Sequence, residues 1–109
     1  MINRGAVIIR PSQPYLDWAT NLDDSNISPQ AIDEKTVYLI SNYEDDIEAW
    51  EILSSVYERI FKNELLGWNT DETTWPKQRS LTMFKDWFNI ELHSIVEDLC
   101  DDDILEEDD

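Results

Sequence analysis

The sequence predicts a small α/β (or α+β) domain, a three-stranded mixed sheet carrying one long helix and two or three shorter ones. Three features of the chain point there. Across 41–67, Ile47, Trp50, Leu53, Val56, Tyr57, Ile60, Phe61 and Leu65 recur at three- and four-residue steps, the period of one helix face. Residues 6–9 and 37–40 are short runs of strand-forming residues without a breaker. Residues 90–99 alternate at a two-residue period over much of their length. With 109 residues, two separate cores would each be marginal. The expectation is one globular domain over 1–100 and an acidic, flexible tail over 101–109.

The run at 6–9 (Ala-Val-Ile-Ile) is bounded by Gly5 and by Arg10-Pro11, and reads as a buried strand covered on both faces. Ser12 is placed to cap a helix with Pro14 in its first turn, where a missing N–H does no harm. Tyr15, Trp18, Ala19 and Leu22 form the apolar stripe of that helix. Residues 21–26 read as a loop, and Ser28-Pro29 opens a turn or two of helix before the strand at 36–40. So long a connection between strands suggests a parallel pair joined by a crossover. The long helix has Ser41 or Asn42 as N-cap, with Ser41 and Glu44 at capping-box spacing. Glu44, Asp45, Asp46 and Glu48 crowd its positive end, and Gly67 closes it.

Residues 68–79 are the least regular, with Trp75 expected to tuck against the long helix. Ser80 caps a further helix that uses Leu81, Phe84, Trp87 and Phe88. In 90–99, Ile90, Leu92 and Val96 share one face, with Glu91, His93, Ile95, Glu97 and Leu99 on the other. The first strand is the most uniformly apolar and is expected between the other two. Ile47, Trp50, Leu53, Tyr57 and Ile60 are expected to pack on the sheet.

Charge narrows the choice of partners. There are 25 acids against 8 bases, a net charge of −17. Residues 101–109 hold seven of the acids and no base, so the first hundred residues are acidic on their own account. Such a surface repels nucleic-acid phosphates and anionic membranes and favours a basic protein surface. Cys100 is the single cysteine, which suits a reducing compartment. The apolar run ahead of Arg10-Pro11 falls short of the roughly 7–15 residues of a signal-peptide core. It is further still from the roughly 20 residues of a membrane span. A cytoplasmic location is expected.

No cofactor or metal is implied. Two glycines cannot build a phosphate-cradling loop. The single histidine, His93, has no close partner of the kind zinc sites use, and 101–103 lacks the glycine turn of a calcium loop. With Glu91 and Glu97 on its strand face, His93 could serve as a general base, but no nucleophile or oxyanion donor accompanies it and a single structural hydrogen bond explains it better. Trp68 stands beside Thr70, Asp71 and Glu72, where it is either an aromatic anchor for a partner or part of the core. Lys77, Arg79 and Lys85 form the only basic cluster, too small on so acidic a body for a nucleic-acid site.

The stretches NRGAVIIRPSQPYLDW, VYLISNYED and WPKQRSLTMFKDWFNIELHSIVEDL together resemble a family of short acidic conserved bacterial proteins of unestablished function. The resemblance spans nearly the whole chain apart from 101–109. It implies a small cytosolic α/β protein and carries over no functional residue.

The expected function is a non-enzymatic acidic protein-binding module, an adaptor or inhibitor of a basic partner. Its contacts would be Asp45, Asp46, Glu48, Asp71 and Glu72, with Trp68 as anchor. A DNA mimic occupying a nucleic-acid-binding protein is the alternative. It needs rows of carboxylates where phosphates would lie, drawn from Asp45, Asp46, Glu48, Glu51 and Glu58 with acids of the last strand. A small enzyme using His93 is the third reading.

Overall fold

The structure is a computed structural model that describes residues 3–22 and 34–100. The expected short helix after Ser28 and the tail at 101–109 lie outside the described residues. The elements in order are β1 (Arg4–Pro11), α1 (Gln13–Leu22), β2 (Thr36–Ser41), α2 (Asp46–Trp68), a 3₁₀ turn (Glu72–Thr74), α3 (Leu81–Trp87) and β3 (Phe88–His93). The fold is α+β, and β1 is the central strand in the order β2-β1-β3.

Both strand pairs are antiparallel, which corrects the mixed sheet and the parallel crossover. Thr36, the first residue of β2, pairs with Ile9 near the end of β1. The connection through α1 therefore returns the chain to the end of β1 that it left, instead of carrying it back to the start. An antiparallel sheet can leave one face in water, and this one does. Val7, Ile9, Ile40 and Phe88 are buried on the covered face. Val37 (60% exposed) and Leu39 (47%) stand on the other face, with Asn89, Glu91 and His93 also exposed there. The expectation that β1 is fully covered on both faces is corrected accordingly: Ile8, between Val37 and Glu91, is only half-buried.

Phe88, expected in the helix, instead opens β3, and that strand ends at His93 rather than at residue 99. Likewise α2 starts later than expected. Ser41 is still paired with Arg4 in the sheet, and Tyr43 turns into the core, so the N-cap falls to Asp45, which accepts from Glu48 N at 2.9 Å. Ala49, Leu53, Ile60, Phe61 and Leu65 form the buried face of α2. Ile47 is 74% exposed, contrary to expectation, because two residues from Ala49 is about 200° around a helix.

The core is aromatic. Phe61 meets Phe88 edge-on at 5.3 Å between centroids and lies 6.1 Å from Phe84 and 5.6 Å from Trp87. Tyr15 joins the group through Phe88 and Trp18, which ties α1 to it. Three of the five indole N–H groups donate to main-chain carbonyls: Trp18 to Thr74 O, Trp68 to Ala19 O and Trp75 to Asn69 O. Trp75 is buried as expected, and these bonds fasten the irregular segment after α2.

Candidate functional site

Glu44, Asp45, Asp46, Glu48 and Glu51 are all exposed around the start of α2, and Ile47 sits among them. Asp71 and Glu72 are exposed at the other end of the helix. The 23 residues of α2 span about 35 Å at 1.5 Å per residue, so the two acidic groups lie far apart. Asp71 caps the 3₁₀ turn, accepting from Thr73 N at 3.0 Å and Thr73 Oγ1 at 2.7 Å. Those hydrogen bonds hold its carboxyl below the usual carboxylate range. Trp68 is half-buried, packs on the core and gives its N–H to Ala19 O at 3.1 Å, which fastens the end of α2 to α1.

Among the residues of the suggested phosphate-mimicking ridge, Glu58 lies 3.9 Å from Lys62 and 3.7 Å from Arg79. Bases thus interrupt the row. His93 Nε2 lies 3.2 Å from Glu91 Oε2 on the open sheet face, with both side chains about half exposed. Glu97, expected to share that strand face, falls beyond the end of β3.

Sequence reasoning missed Glu64. One glutamate among so many acids gives no signal by itself, but it follows Ile60 by four positions and so falls on the buried side of α2. Tyr38 Oη donates to Glu64 Oε2 at 2.6 Å, and Thr36 Oγ1 donates to Oε1 at 3.3 Å. Asn63 Nδ2 donates to Tyr38 Oη at 2.7 Å, while Tyr15 Oη donates to Glu64 O at 2.7 Å. Burial raises the Glu64 carboxyl above its ordinary value, and the Tyr38 and Thr36 hydroxyls partly oppose the rise. The Tyr38 hydroxyl is itself raised, first by burial and then by donating to Glu64.

Beside this network lies a half-open cleft of about 780 Å³ between β2 and α2. Tyr38, Leu39, Ile40 and Ser41 form one wall. Ile52, Ser55, Val56, Arg59, Ile60 and Asn63 form the other, and Arg4 closes the end near Ser41. No lining residue is acidic.

Among the described residues, no group of three or more His, Cys, Asp or Glu side chains is placed to hold a metal ion. No helix there is long and apolar enough to cross a membrane. No protein-family model, curated protein or solved structure matches the chain.

Proposed function

We propose that this protein is a non-enzymatic protein-binding module, an adaptor or inhibitor that docks a basic surface of a partner through the start of α2. The observation that carries this reading is Ile47, 74% exposed in a stretch where Glu44, Asp45, Asp46, Glu48 and Glu51 are exposed too, with Glu44 three residues before it and Glu51 one helical turn after it. An isoleucine in water contributes nothing to the fold, yet at an interface its burial is worth about 1.5–3 kcal/mol. Carboxylates around an apolar centre reproduce the wet polar rim and dry centre of protein interfaces, and they steer a basic partner into place. Asp71 and Glu72, some 35 Å away, would belong to a second contact of a large partner. Trp68 supports the fold beneath them. A cytoplasmic place of action fits the single free Cys100.

The DNA-mimic reading has less support, because Lys62 and Arg79 flank Glu58 in the row of carboxylates it needs. The enzyme reading has less again, because His93 and Glu91 stand in solvent on an open sheet face. Capture of partners from a source-cell lysate tests the proposal, comparing the wild type with Ile47→Ser and with Asp45→Asn/Asp46→Asn. Asparagine keeps the helix cap, so charge is removed without unfolding α2. Basic partners should be captured by the wild type and lost in both variants at unchanged melting temperature. Equal capture by all three proteins would contradict it.

A further inference from the structure

We propose that the cleft between β2 and α2 is a second, independent binding site, which receives an extended carboxylate-bearing peptide segment of a partner protein as a fourth strand beside β2.

The shape of the cleft argues for a strand. Successive residues of a strand point to opposite faces of its sheet, yet Tyr38, Leu39, Ile40 and Ser41 all line the cleft. Consecutive residues can do so only where a cleft runs along a strand's edge. The opposite wall repeats at Ile52, Ser55, Val56, Arg59, Ile60 and Asn63, a single stripe of α2. A strand edge facing a helix stripe is the arrangement that takes an added strand through main-chain hydrogen bonds. Among the described residues β2 terminates the sheet, so alternate N–H and C=O groups point away from β1. Edges that must stay unpaired are normally guarded by charges, prolines or bulges. Thr-Val-Tyr-Leu-Ile-Ser has no charge and no proline.

The chemistry of the cleft argues for the occupant. In a chain of 25 acids and 8 bases, this cleft is lined by two arginines and no carboxylate. Arg4 bonds to its neighbour Asn3, and neither Arg4 nor Arg59 forms an ion pair among the described residues. Their guanidinium groups can receive carboxylates in paired hydrogen bonds. Ile52, Val56 and Ile60 offer an apolar floor for the alternate side chains. A second copy of the chain is a poor occupant, since two bodies of charge −17 repel.

The test pans a random dodecapeptide phage library against the full chain. Enriched sequences should alternate apolar residues with at least one Asp or Glu. A synthetic form of the best binder should lose affinity at least tenfold against Arg59→Glu, an exposed change whose retained fold circular dichroism verifies. N-methylation at every second peptide residue should abolish binding in one phase and spare it in the other. Binding should survive Asp45→Asn/Asp46→Asn, which separates this site from the acidic one. An empty or basic selection, indifference to Arg59→Glu, or equal sensitivity in both methylation phases would overturn the proposal. So would a dimer in sedimentation, or faster amide exchange at 38–41 after deletion of 101–109, since the chain itself would then fill the cleft.

Discussion

At Gly5 the backbone of β1 passes directly under the ring of Tyr43, and a Cβ added there would collide with Tyr43 Cε1 and Cδ1. Gly5→Ala should therefore cost about 1–3 kcal/mol, as overpacking does elsewhere. Denaturant melts should show a smaller loss when Tyr43 is first shortened to Val. Gly5 marked the strand's boundary in the sequence, but the ring above it is a tertiary contact and was not legible. Glu64 makes a similar point with charge. Burial raises its carboxyl, so the folded chain keeps this proton to higher pH than the unfolded chain, whose ordinary value is 4.5. The stability this group contributes is therefore present below that value and falls as pH rises through the raised one. Glu64→Gln removes the dependence. Between pH 7 and pH 4, the difference in melting temperature between variant and wild type should shift in the wild type's favour; a shift the other way would contradict the assignment.

Among the elements, α2 was the most legible, because eight apolar residues at helical spacing leave little choice of structure. Its edges were less so. Ser41 looks like a cap, but its place in β2 opposite Arg4 takes precedence, and Asp45 caps instead. Leu53 is fully buried at the centre of the inner face. Leu53→Ala should cost about 2–5 kcal/mol in denaturant melts. Ile47→Ser should leave the midpoint nearly unchanged, which separates the inner face from the outer. The alternation in β3 could be read from Ile90, Glu91, Leu92 and His93. In β2 it was hidden, because Val37 and Leu39 are apolar although they face solvent. The parallel pairing rested instead on the length of the connection, which returns to the end of β1 that it left.

Across the whole molecule, a close aromatic core holds three helices to one face of a sheet, and the surface carries the charge. Composition announced both properties. It could not show that the acids stay out of the cleft between β2 and α2, or that they share the start of α2 with an exposed isoleucine, since both depend on which turns of α2 face outward. Long-range attraction from such a body weakens as salt shortens the Debye length from about 10 Å at 0.1 M to about 3 Å at 1 M. The most direct measurement is the affinity of the intact chain for a partner captured from lysate, titrated across that range of salt. Affinity should fall steeply for the wild type and much less for Asp45→Asn/Asp46→Asn. An affinity that does not change with salt, or that falls equally in both proteins, would contradict docking through the acidic start of α2.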